Sequence, residues 1–285
     1  MKPKVKVQLL GKLSVSLNGA DLFARAPQKT RELFAFLALH PGREHPREAL
    51  ATRLWGGIDE PRARKNLRQT IWHLRRSLKP LGPTRARRVL RAEPGWLRLE
   101  TAEDIWTDVG ELRSALARFA HADPASESEE ALRSAASLYR GDLLEGWHQD
   151  WCADPREFCR DAYLALLDRL VEAREAAGDL EGGIQYAMRA LEFDRARERT
   201  HRALMRLFVA NGDRTGALRQ YDRCVAAVRE ELNARPEEET VALMREIRSG
   251  KKLRGSGPAA AVPGAAEPAE AETLPARARR SKKDR

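Results

Sequence analysis

Two short runs near the start of the chain alternate apolar and polar positions: Val5, Val7 and Leu9 against Lys4, Lys6 and Gln8, then Leu13, Val15 and Leu17 against Lys12, Ser14 and Ser16. A period of two turns one face of each run inward and predicts half-buried strands. Asn18-Gly19 follows, the pair that most readily takes the positive φ angles of a tight hairpin, so Ala20 to Phe23 is expected to return as a further strand. From Gln28 the period lengthens. Leu33 and Leu37, with Phe34 and Ala38, form a helical stripe that ends at His40-Pro41-Gly42. Pro46 suits the first turn of a second helix carrying Leu50 and Leu54 and closed by Gly56-Gly57. A third helix opens at Asp59-Glu60-Pro61 and runs to Lys79, with Leu67, Ile71, Leu74 and Leu78 inward. Val89 to Arg91 and Trp96 to Leu99 flank Glu93-Pro94-Gly95 as a second hairpin, anchored in the core by Trp96.

Sheet, three helices and hairpin is the order of a winged helix-turn-helix. Residues 104 to 248 are helical in pattern, and an internal repeat runs through them. Leu170, Gly178, Asp179, Gly183, Ile184 and Ala190 are matched 34 residues later by Leu204, Gly212, Asp213, Ala217, Leu218 and Cys224. That period, with a Gly-Asp turn between paired helices, is the tetratricopeptide signature. Two repeats cannot close a solenoid core, so Glu130 to Tyr139, Arg156 to Arg169 and Glu237 to Arg248 are expected to supply an irregular repeat and caps. Residues 251 to 285 are rich in Ala, Pro, Glu and Gly, with little to bury, and predict disorder. The expected fold is therefore mainly α. A winged helix-turn-helix spans 1–102 and folds on its own, a tetratricopeptide-like domain spans 103–250, and a disordered basic tail spans 251–285.

Charge sharpens this division. The net charge of +10 is unevenly spread: residues 1–100 carry 22 basic and 8 acidic side chains, residues 101–250 carry 21 and 30, and residues 251–285 carry 9 and 4. A basic first third on an acidic remainder predicts that the first third meets a polyanion. The longest apolar run, Leu33 to Leu39, falls far short of the roughly 20 residues of a membrane helix, and Gln8 and Lys12 interrupt any signal-peptide core, so a cytoplasmic location is expected. Cys152, Cys159 and Cys224 lack Cys-x-x-Cys spacing and read as reduced structural thiols. No phosphate loop, dinucleotide fingerprint, nucleophile elbow or zinc-protease motif occurs, and the six histidines have no ligand spacing; neither an enzyme nor a cofactor is expected.

The third helix carries the candidate chemistry. Opposite its apolar stripe stand Lys65, Arg68, Gln69, Trp72 and Arg76, flanked by Arg62, Arg64 and Arg75. An α-helix fits the major groove, where Arg pairs with guanine and Gln with adenine while Lys and neighbouring Arg meet phosphates. Glu60 is the single acidic residue within or adjoining Pro61 to Lys79, so pairing inside the helix does not account for the charge. Trp72 fits either this reading face or the scaffold. In the hairpin, Arg87, Arg88 and Arg91 are expected near the tip of a wing.

The segments VQLLGKLSVSLNG, LALHPGREHPREALATRLWG, ARKNLRQTIWHLRRSL and PGW, followed by LYRGDLLEG and the Gly-Asp repeats, resemble the Streptomyces antibiotic regulatory protein family of bacterial transcription activators over roughly residues 5 to 248. The resemblance implies an OmpR-type winged helix joined to a bacterial transcriptional activation domain. It further implies sequence-specific binding to direct repeats in double-stranded DNA and recruitment of RNA polymerase holoenzyme, with a homodimer forming on the DNA. By position it makes the third helix the recognition helix, the hairpin with Arg91 the wing, and Gly56, Gly57, Ile58, Asp59 and Glu60 a polymerase-facing loop. The bulk of Trp72 and the basic tail depart from the shared pattern. No nucleotide-binding segment of the larger relatives is present, so the chain resembles the small, ligand-independent form. Two rival readings remain: a repressor with the same DNA contacts, and an adaptor whose basic domain docks on an acidic protein or RNA.

Overall fold

A computed structural model describes residues 5–100, 105–121 and 128–250; the segment read as a disordered tail lies outside these described residues. Strands β1 (Val5–Gln8), β2 (Ser14–Leu17) and β3 (Ala20–Asp21) form an antiparallel meander in which Val7 faces Val15, and Asn18 and Gly19 take φ 52° and 83° at its tight turn. Then come α1 (Gln28–Leu39), a two-residue strand β4 (His45–Pro46), α2 (Arg47–Trp55) and α3 (Glu60–Ser77). A short helix α4 (Pro83–Val89) leads into the hairpin of β5 (Leu90–Ala92) and β6 (Trp96–Leu99). The hairpin forms a second sheet with β4, in the order β4-β6-β5. This is the winged helix-turn-helix. Its apolar stripes meet as the periodicity requires, with Leu33, Leu37, Leu50, Leu67, Leu74, Leu97 and Leu99 all essentially inaccessible. Trp96 differs from its expected place: it is half-buried, with the Arg98 guanidinium 5.6 Å from its ring centroid, and Leu97 and Leu99 anchor the hairpin in the core instead.

The break expected at 102/103 does not separate two cores. Strand β7 (Ile105–Thr107) lies parallel to β1 and completes a sheet of order β3-β2-β1-β7. Directly after it, at the start of α5 (Asp108–His121), the buried Asp108 carboxylate accepts hydrogen bonds from the backbone N–H of Leu9 at 2.9 Å and of Leu10 at 3.0 Å. Residues 142–145 clamp the same stretch from the other side. Gly11 N–H donates to the Asp142 carbonyl at 3.0 Å, and Leu144 N–H donates to that of Leu9 at 2.8 Å. One hydrophobic core consequently runs from Val5 to Ala190. A fragment ending at residue 100 lacks one of the two strands that pair with β1, so the independence expected of 1–102 conflicts with the packing.

The remaining helices are α6 (Glu129–Ala136), α7 (Ala153–Ala176), α8 (Leu180–Phe193), α9 (Glu198–Ala210), α10 (Arg214–Leu232) and α11 (Glu238–Ser249). The repeat appears as two equivalent turns. Gly178 and Gly212 take φ 76° and 78°, and the Asp that follows each caps the next helix by accepting from the N–H of Gly182 (2.9 Å) and Gly216 (2.7 Å). Gly183 lets α8 approach α9, since a Cβ there would stand 3.4 Å from Leu207. α6 packs on α7, and α11 covers the far end through Met244 and Ile247. The three cysteines are free and buried, and desolvation pushes Cys159 and Cys224 up to about 12 and Cys152 to about 11, so they remain protonated thiols at neutral pH.

Asp108→Ala orphans the buried N–H groups of Leu9 and Leu10, and each orphan costs about 1–3 kcal/mol. Urea unfolding followed by tryptophan fluorescence should show a loss of about 2–4 kcal/mol; a loss below about 0.5 kcal/mol would mean the carboxylate is not the link described. Gly212→Val should cost about 1–3 kcal/mol even though the space around it is open, because a β-branched residue is strained at positive φ.

Candidate nucleic-acid interface

Helix α3 is set by its ends. The Asp59 side chain accepts from the Arg62 N–H at 2.8 Å, Pro61 occupies the first turn, and Glu60 at the start with Arg75 and Arg76 at the end complement the helix dipole. Ala63, Leu67, Thr70, Ile71 and Leu74 face inward, which orients the opposite side completely. Lys65, Arg68, Gln69, Trp72 and Arg76 are all exposed. Trp72 stands on this face and not in the scaffold: it is 55% exposed, the Arg76 guanidinium lies 5.5 Å from its ring centroid, and His73 meets it edge-on at 4.9 Å.

The cations of α3 fall into two groups. Near the N-terminus, Arg62 pairs with Asp59 at 3.1 Å, and Arg64 bridges Glu60 at 2.6 Å and Glu48 of α2 at 2.8 Å. These exposed pairs are worth little and dissociate at small cost. Further along, the side chains of Lys65, Arg68 and Gln69 make no hydrogen bond or ion pair among the described residues. Arg75 turns aside, donating to the Ala92 carbonyl at 3.2 Å and so tying α3 to the hairpin.

The hairpin differs from its sequence reading. Arg87 and Arg88 lie on α4, ahead of the strands, because Pro83 starts a helical turn there. Arg91 is the middle residue of β5, opposite Arg98 and 3.8 Å from Glu100, so it too stands back from the exposed tip, Glu93-Pro94-Gly95. Arg75, Arg87, Arg88 and Arg91 nevertheless converge on one groove of about 760 Å³ between the end of α3 and the hairpin. The hairpin is held close to the helices, since Gly95 accepts from the N–H of Arg47, the first residue of α2, at 3.0 Å.

Arg47 is the residue sequence reading missed. Partial burial, and then the neighbouring Arg75 and Arg68 guanidiniums, hold it below the usual arginine range. Three arginines from α2 and α3 thus share one positive field, which no i, i+4 count reveals. In the loop before α3, Gly56 to Glu60 are all exposed, and with Asp59 capping and Glu60 paired to Arg64, Ile58 at 43% exposure is its outstanding apolar side chain. Among the described residues no group of His, Cys, Asp or Glu is arranged to hold a metal ion, and no helix is long and apolar enough to cross a membrane.

Comparison with known proteins agrees with this architecture. Residues 107–248 match the family described as Bacterial transcriptional activator domain. Transcriptional regulatory protein MoaR1 of Mycobacterium tuberculosis (strain ATCC 25618 / H37Rv) is 26% identical over 252 residues, covering 85% of this chain and 79% of its own, and MoaR1 of Mycobacterium bovis (strain BCG / Pasteur 1173P2) matches to the same extent. In the solved structure of Mycobacterium tuberculosis EmbR in complex with a low affinity phosphopeptide, the same fold recurs with a TM-score of 0.78 at 21% identity. The match covers 89% of this chain but only 66% of EmbR, a longer protein. Residues 107–248 are a bacterial transcriptional activator domain, and the chain is a transcription regulator similar to the Streptomyces antibiotic regulatory protein family.

Proposed function

We propose that this regulator is a sequence-specific activator: two protomers bind side by side on direct repeats of duplex DNA, each laying α3 in the major groove, and recruit RNA polymerase holoenzyme to the promoter. The observation that carries this reading is the contrast within α3. Arg62 and Arg64 have carboxylate partners, whereas Lys65 and Arg68, beside Gln69 and Trp72 on one exposed face, have none among the described residues. Unpaired Arg and Gln match the hydrogen-bonding edges of guanine and adenine, and the Trp72 ring offers an apolar surface to a thymine methyl. Arg47, Arg87, Arg88 and Arg91 surround this face and serve the phosphates, while Gly56 to Glu60 at the other end of α3 present Ile58 to polymerase.

A duplex selected from random sequences, titrated against scrambled duplex, tests the DNA step. Arg68→Ala and Gln69→Ala should each cost about 1–3 kcal/mol on the selected site and change the preferred sequence. Lys65→Ala should weaken all duplexes alike and reduce the slope of log affinity against log salt by about 0.9. Equal losses on selected and scrambled duplex for Arg68→Ala and Gln69→Ala would remove base reading from α3.

Reporter transcription with purified polymerase tests the second step. Ile58→Asp should abolish activation and leave DNA affinity unchanged, because the side chain lies off the reading face. Repression by the wild-type protein on its own site would assign the same DNA contacts to a repressor.

A further inference from the structure

A second groove, of about 530 Å³, lies where α1, β4 and α2 of the winged helix meet the helical domain. One bank is Phe36 and His40 of α1, His45 of β4 and Arg53 of α2; the other is Arg113 of α5, Trp151, and Phe158 of α7. Its size falls in the range of small-molecule sites.

Two kinds of group line it. The first is aromatic: Phe36 meets His45 at 5.0 Å and Trp151 edge-on at 5.4 Å between ring centroids. The second is cationic. The Arg53 guanidinium lies over the Phe36 ring and that of Arg113 over Phe158, each 5.1 Å from the centroid, and Arg43 adds a third. Two carboxylates share the groove; Glu44 is taken up by Arg98 at 3.3 Å, which leaves Asp154 against three arginines. Burial above all, then the neighbouring His40, holds His45 down to about 4, so its ring is neutral at physiological pH and the positive charge belongs to the arginines.

Two polar atoms on these walls are orphaned. His45 is 7% exposed and its Nε2 is buried without a hydrogen-bond partner among the described residues, as is Nε1 of Trp151. Buried polar atoms are costly to leave unmade and are rarely left so. An indole N–H is an obligate donor, and a neutral imidazole nitrogen donates or accepts according to tautomer, so the two together suit a hydroxyl or carbonyl oxygen. Aromatic walls, an excess of guanidinium and two ring nitrogens seeking an oxygen define one ligand chemistry.

We infer that this groove binds a planar aromatic carboxylate bearing a ring hydroxyl or carbonyl, its ring against the half-buried Trp151 and Phe158, its carboxylate on Arg53 and Arg113, and its second oxygen on His45 and Trp151. Such a ligand touches both α2, the first helix of the helix-turn-helix, and the helical domain, so its occupancy is linked to the stability of their contact. This departs from the ligand-independence that the family resemblance implied. It rests on the geometry of the groove alone and stands or falls apart from DNA reading.

The test uses 3-hydroxy-2-naphthoate as probe, titrated calorimetrically into the full chain. Saturable binding to one site per chain is expected, with a rise in thermal midpoint. Trp151→Phe keeps the ring and deletes the N–H donor, and Arg113→Ala removes a carboxylate partner; each should weaken binding about tenfold while the far-UV spectrum is unchanged. 2-Naphthol, which lacks the carboxylate, should bind about tenfold more weakly. Absence of saturable binding overturns the proposal, as does binding that survives Trp151→Phe undiminished or fails to distinguish naphthoate from naphthol.

Discussion

The structure depends on a single buried carboxylate. Asp108 follows the last strand of the N-terminal sheet and opens the first helix of the activator domain, and it holds the backbone of Leu9 and Leu10 from 98 or more residues away. Desolvation raises its pKa, and the three backbone N–H groups of Leu10, Leu9 and Val109 act against that. Because β7 pairs with β1 just before it and residues 142–145 clamp residues 9–11, the winged helix and the helical domain share one core. Within the winged helix, α1 packs against both α2 and α3.

On that rigid base, charge is sorted by pairing. In the helical domain arginines meet acids of neighbouring helices: Arg197 with Asp168 at 2.8 Å, Arg199 with Glu172 at 3.2 Å, and Arg202 with Glu237 at 2.5 Å. These pairs join α7 to α9 and α9 to the start of α11. On α3, Arg62 and Arg64 meet acids, whereas Lys65 and Arg68 have no acidic partner among the described residues, and Arg47 of α2 adds a like charge beside Arg68 and Arg75. Concentrating like charge in the winged helix costs stability, and the shared core absorbs that cost.

Much of this was legible in the sequence because it is local. The stripe Leu67, Ile71, Leu74 and Leu78 fixes which side of α3 is exposed, Asn18-Gly19 fixes the hairpin, and Gly178 and Gly212 recur where two equivalent turns need positive φ. What escaped is short or long-range. β7 has three residues and is defined only by its pairing with β1; β4 contains a proline; α4 is a seven-residue turn of mostly polar side chains that moved Arg87 and Arg88 off the hairpin. The pairing of Arg64 with Glu48 links residues on different helices, and the field around Arg47 needs three elements brought together. No periodicity encodes these.

The central claim is that the exposed face of α3 lies against bases in the major groove. Photo-cross-linking tests it without altering the protein: a duplex selected for binding carries 5-iododeoxyuridine at each thymine in turn, is irradiated in complex, and the attachment site is read by mass spectrometry. The account predicts that one or two positions within each repeat cross-link to Trp72. Cross-links confined to the helical domain or to the hairpin, with none on α3, would contradict it.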